Sequence, residues 1–222
     1  YCFDSGTKDS EGGDVDFDIT VWKLDTLQAS IFNIGDSLYW ATKYWNDNLG
    51  QGAPRMDRSI TVDWERGRNV KSSSFNRSTQ TMSLADDASE PDEWDDTVII
   101  HEWGHFADNQ FSCNGSPGGG HSISGVNAGP GGDRLAWGEG YGDYLQSAVR
   151  TIIPSAGDLS FYIDVTGLTI DLEAVPNASA LSEGGIAALL WDFTESNVDG
   201  SDTVNHGYAR IVKVFTDPAF QG

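Results

Sequence analysis

From Thr26 to about Asn48 the apolar residues Leu27, Ile31, Ile34, Leu38, Ala41 and Trp45 recur three or four positions apart. That spacing puts them on one face and predicts an amphipathic helix, which Gly50 and Gly52 stop. Polar and apolar positions then alternate in RSITVDWE (58–65) and TQTMSLAD (79–86), the pattern of half-buried strands, with a polar loop of Ser, Asn and Arg between them. Pro91 and the cluster Asp92, Glu93, Asp95 and Asp96 read as the start of a second helix, since carboxylates favour the positive helix end. This helix runs through TVIIHEWGHFAD (97–108). Residues 115–132 hold eight glycines and two prolines, too few side chains for a core, and predict a loop. A third helix follows in DRLAWGEGYGDYLQSAVR (133–150), with Leu135, Tyr141, Leu145 and Val149 as core contacts. Short strands are expected within 157–175, then helices over 182–196 and 205–215. Residues 1–18 read as an acidic, extended arm.

A chain of 222 residues with 38% apolar side chains and eight tryptophans can bury one medium-sized core. Charge narrows the function more than size does. Thirty-four Asp and Glu against 13 Lys and Arg give a formal charge of −21, which repels phosphate backbones and anionic lipid. Nucleic acid and membranes are therefore excluded as partners, and no apolar run approaches spanning length. The chain starts at Tyr1 without Met or an apolar leader, as a mature or excised domain would. One disulfide between Cys2 and Cys113 would imply export; two buried thiols are the alternative. Glycosylation sequons begin at Asn76, Asn114 and Asn177.

The chemistry concentrates in HEWGH, residues 101–105. Helical residues four apart share a face, so His101 and His105 can turn two imidazoles toward one point. Such a pair pre-places two of the four ligands of a zinc ion. Glu102 lies about 100° around the helix from His101, where it can reach a water at the metal without being a ligand. Two buried histidines need polar partners in any case, and the bland alternative is a helix with hydrogen-bonded histidines. Gly104, unfavourable by about 1 kcal/mol against Ala in a helix interior, suggests that another element packs closely there.

A catalytic zinc needs a third protein ligand and an open position. The extended pattern HExxHxxGxxH fails, because Asp108 and Phe111 stand where Gly and His are required. A glutamate from a second helix is the other scheme, and WGEGYGDYL (137–145) supplies Glu139, with Asp143 one turn later. Asp143 would accept a hydrogen bond from the far nitrogen of a ligating histidine and fix its tautomer. Gly138, Gly140 and Gly142 remove bulk that would keep the two helices apart. Reserve ligands are His121, Asp108 and Glu183; His121, among glycines, otherwise reads as a loop or lid residue.

HEWGH with a downstream EGYGD resembles the gluzincin metallopeptidases; the two motifs lie within residues 93–150. The 33 residues between His105 and Glu139 exceed the usual gluzincin separation, an excess the glycine-rich loop can absorb. The resemblance implies an α+β, zincin-like fold, with a small twisted sheet over the active-site helix and a mainly helical C-terminal lobe. Residues 1–222 would form one catalytic domain, 1–112 the upper lobe with that helix and 113–222 the lower lobe. It also makes TQTMSLAD the sheet-edge strand lining the cleft, with Met82, Ser83, Leu84 and Ala85 binding substrate main chain; an ordinary internal strand is the alternative.

The implied reaction is peptide hydrolysis by a secreted, monomeric zinc enzyme acting on peptide or protein, with Glu102 as general base. The oxyanion would lean on a downstream donor, His206 or Tyr208, with Tyr141 as a further candidate. A cleft bounded by so broad a loop favours an endopeptidase. Two competing readings are a binding module with a closed, non-catalytic metal and a zinc hydrolase of other amides or esters. The carboxylate excess is compatible with calcium as a second ion, with Asp14, Asp16, Asp18, Asp199 and Asp202 as contributors; no EF-hand pattern exists, and solvated carboxylates are the alternative.

Overall fold

The computed structural model describes residues 26–50, 52–56, 58–154, 159–163, 168–195 and 204–217. The acidic arm, Cys2 and all five of the expected calcium ligands fall outside them, so the disulfide and calcium expectations do too. Helix α1 is Thr26–Asp47; strands β1 (Thr61–Asp63), β2 (Ser74–Asn76), β3 (Thr81–Ser83), β4 (Asp86–Asp87) and β5 (Glu90–Pro91) follow. Next come α2 (Asp96–Phe111), α3 (Gly132–Arg150), β6 (Phe161–Ile163), β7 (Thr169–Asp171), α4 (Glu183–Thr194) and α5 (Ala209–Phe215). The class is α+β, with small separate sheets around a helical core.

Helix α1 buries Ile34, Ala41 and Trp45 from the periodic stripe, and Trp45 meets Trp103 and Phe111 of α2 and Phe215 of α5 at 5.1–6.1 Å between ring centroids. Edge-on and tilted pairs of this kind each add about 0.5–1.5 kcal/mol beyond the area they bury. Asn33 Nδ2 and Ser37 Oγ both donate to Asp96 Oδ1, at 2.9 and 2.8 Å, tying α1 to the start of α2.

That start differs from the sequence reading. Pro91 pairs with Asp86 in the β4–β5 hairpin, Asp92–Trp94 make one 3-10 turn, and α2 begins at Asp96. Asp95 holds an extended backbone, φ −107° and ψ 95°, which frees its carboxylate to accept the Thr97 and Val98 amides. Helix α5 also starts later than expected, at Ala209. Gly207, in the left-handed region at φ 74°, and the Asn205 side chain, which accepts its N–H at 3.1 Å, turn the chain just before it.

The three-stranded sheet corrects a second expectation. Its order is β1-β3-β2, parallel between β1 and β3 and antiparallel between β2 and β3. The stretch around residues 81–85 is therefore interior: Met82, Leu84 and Ala85 are buried, and Ser83 is paired on both sides, with Asp63 and Ser74. These four residues do not form a cleft edge. Both β1 and β2 are edges, and the one on the cleft is β2, which lies in the polar stretch read as a loop and pairs only with β3 among the described residues.

Helix α3 is central, with Ala136, Gln146, Ser147 and Ala148 fully buried. It crosses α2 glycine against glycine: a Cβ on Gly104 would stand 3.2 Å from the Gly142 Cα. At its crossing with α4, a Cβ on Gly140 would meet the Glu183 carbonyl at 2.4 Å and the Ile186 Cβ at 2.6 Å. These two crossings bring the faces bearing His101, Glu139 and Glu183 together.

Candidate metal centre

The i, i+4 pair on α2 turns both imidazoles to one point, with ring centroids 4.8 Å apart. From α3, one carboxylate oxygen of Glu139 faces both: Glu139 Oε2 lies 3.4 Å from His101 Nε2 and 3.2 Å from His105 Nε2. On the far side of the first ring, His101 Nδ1 is 2.9 Å from Asp143 Oδ1, a contact in which Nδ1–H donates to the carboxylate and Nε2 keeps the lone pair that can bind a metal. Glu102 is buried beside the histidines, and its Oε2 has no hydrogen-bond partner. His101, Glu102 and His105 present ligand atoms within 4.8 Å of one another.

Electrostatics follow from that packing. Burial disfavours the imidazolium of His101, but Asp143 and Glu139 outweigh it and hold the ring well above its usual pKa. His105 is raised for the same reason, chiefly by Glu139 against burial. Burial also opposes ionisation of Glu139, yet the charges of His105 and His101 hold its carboxyl well below the usual range. Burial pushes Glu102 up, and Glu183 is pushed up to about 8 by burial and then by Asp143 and Glu139.

Two cavities of about 270 Å³ each meet at this point, sharing Ser72, Ser73, Glu102, His121 and Glu139. One extends past Val98, Tyr162, Ile170 and Glu183, the other past Ser74, Phe75 and His105. The centre thus lies midway along a cleft that continues on both sides, with β2 forming part of one wall.

The reserve residues separate cleanly. Asp108 is fully buried and accepts from Ser112 Oγ at 2.5 Å, Asn114 Nδ2 at 3.0 Å and Arg77 Nη1 at 3.3 Å, so it anchors the loop and β2 and is no ligand. His121 does reach the centre, with Nε2 3.6 Å from Glu139 Oε2. Glu183, at the start of α4, faces the first cavity with Oε2 unpartnered. His206 and Tyr208 do not line either cavity, which corrects their assignment as oxyanion donors. Their rings lie on Phe193 at 4.3 Å and Trp191 at 5.6 Å. These contacts are on the C-terminal half of α4, roughly 12 Å along the axis from Glu183 at 1.5 Å per residue. Tyr141 is also elsewhere, fully buried and stacked on Phe215. Tyr162 does line the cleft, its ring 6.1 Å from that of His101, and nothing in its local sequence marks it.

Residues 42–217 match the family described as the Mycolysin C-terminal domain, a span that contains every residue of this centre. The chain belongs to that family. Mycolysin-type domains are parts of secreted metallopeptidases, which ties this chain to the peptidase class suggested by HEWGH. No curated protein and no solved structure matches it significantly. Among the described residues of this Mycolysin C-terminal domain, no helix is long and apolar enough to cross a membrane.

Proposed function

We propose that this Mycolysin C-terminal domain is a secreted, zincin-like zinc metallopeptidase that hydrolyses peptide bonds, with His101, His105 and Glu139 as ligands and Glu102 as general base. The observation that carries the reading is the spacing of 3.4 and 3.2 Å from one Glu139 oxygen to two imidazole nitrogens. A charge-assisted hydrogen bond would be about 2.7–2.9 Å. Ligands about 2.0–2.1 Å from a tetrahedral zinc stand about 3.3–3.4 Å apart, which the centre matches. The orphaned Glu102 Oε2 fits as well, since a buried carboxylate atom with no protein partner has water or substrate as its remaining partner.

When bound, zinc supplies Lewis acidity and lowers the pKa of water at the site. Glu102 would take the proton of the attacking water and pass it to the leaving amine. Asp143 keeps the His101 ring in one tautomer and one orientation. Substrate binding falls to the free edge of β2, whose main-chain groups can pair with an extended peptide, and a cleft continuing on both sides suits an internal bond.

The test is a paired measurement of zinc content and hydrolysis of a denatured protein, with and without chelator. Glu102→Gln should keep zinc and lose nearly all activity. Full activity in that variant refutes the base assignment, and a wild-type protein that holds zinc but cleaves nothing favours the second reading. That second reading is a closed, non-catalytic metal module, and the approach of His121 to the centre is the observation in its favour. It leaves Glu102 without a task.

A further inference from the structure

We infer that His121 is a fourth, displaceable ligand of the same metal, carried on the loop between α2 and α3, so that the centre rests closed and opens when substrate moves the loop. The inference rests on the zinc reading above.

Three observations converge on it. His121 Nε2 stands 3.6 Å from Glu139 Oε2, beside the 3.4 and 3.2 Å of the two helical histidines. All three nitrogens thus surround one oxygen at close to the edge length of a tetrahedral zinc shell, about 3.3–3.4 Å. The tautomer is also set for coordination. His121 Nδ1 is 3.0 Å from the Gly119 carbonyl, which can only accept, so Nδ1 carries the proton and Nε2 keeps its lone pair. Finally, neither carboxylate beside that nitrogen holds it: Glu139 Oε2 at 3.6 Å and Glu183 Oε2 at 3.8 Å both stand beyond hydrogen-bond length.

Displaceability follows from how the loop is held. Its two ends are fixed, at one side by Asp108 holding Ser112 and Asn114, at the other by Gly184 N–H donating to the Ile123 carbonyl at 3.0 Å and Asn127 N–H to the Leu181 carbonyl at 2.8 Å. Between them, residues 117–122 are exposed, and Gly118 and Gly119 sit at φ 64° and 111°, conformations that glycine enters and leaves readily. The His121 side chain is 39% exposed and lines both cavities at their junction. A chain lying across both cavities must therefore push it aside, and the only described hydrogen bond of the His121 side chain, to the Gly119 carbonyl, lies within the loop itself.

Zinc K-edge X-ray absorption counts the imidazoles without reference to activity. The zinc-loaded wild type should show three, falling to two on addition of acetohydroxamic acid, and His121→Ala should show two throughout with zinc affinity reduced by about tenfold or more. Two imidazoles in the wild type without the hydroxamate would overturn the inference and leave the peptidase reading standing. Three imidazoles that persist with the hydroxamate would refute displacement and make the shell permanent. A protein that holds no stoichiometric zinc defeats both readings together. Far-ultraviolet circular dichroism of His121→Ala guards against a folding defect.

Discussion

Replacing Gly142 by Ala should weaken zinc binding while leaving the fold almost intact. An added Cβ would stand 2.7 Å from His101 Nδ1, 2.8 Å from Cε1 and 2.9 Å from Cγ, whereas ordinary contact begins near 3.4 Å. The ring must retreat by about 0.7 Å, and the atom most compressed is the one held by Asp143 at 2.9 Å. Disturbing a partner of this kind costs about 10–100-fold in metal affinity, or ~1.4–2.7 kcal/mol. Folding feels two opposed effects: Ala gains about 1 kcal/mol over Gly in a helix interior, and overpacking costs about 1–3 kcal/mol. The net is a destabilisation of about 0–2 kcal/mol, so folding and metal affinity must be read separately. A competition titration against a chromophoric chelator, alongside thermal melts of the metal-free protein, separates the two. Zinc affinity within twofold of wild type would show that the ring has room to move and that Gly142 does not seat His101.

Two further outcomes follow from groups that position α2 and α4. Asp95→Ala removes the acceptor for the Thr97 and Val98 amides at the start of α2 and should cost about 1–2 kcal/mol in urea denaturation; a change under about 0.3 kcal/mol would mean that solvent replaces the cap. Glu183 binds its proton more tightly when folded, near 8 against an ordinary 4.5, so metal-free protein should lose stability as pH rises between those values. The difference corresponds to at most ~4–5 kcal/mol, and Glu183→Gln should flatten the stability profile over that window; equal slopes in both proteins would show that Glu183 is not the group responsible.

Sequence legibility tracked how local each signal is. The α1 stripe and the His101–His105 pair are set within one helix, where a spacing of three or four residues dictates which side chains share a face. The same holds for Glu139 and Asp143, one turn apart on α3. The strands were harder because three-residue segments carry too little alternation to reveal their order. Residues 79–86 alternate well because they are interior, and β2 reads as a polar loop because its neighbours are Ser, Asn and Arg.

The sequence by itself determined the helices, the i, i+4 histidines and the acid between them, since backbone periodicity couples those positions without help from the rest of the chain. Only tertiary structure decided that β2 is the edge on the cleft, that Glu183 and Tyr162 face the cleft, and that His206 and Tyr208 do not. It also decided that a histidine from a glycine-rich loop arrives at Glu139. A loop without periodicity encodes no direction of its own; where His121 points is set by Asp108 and α4, which hold the loop's two ends.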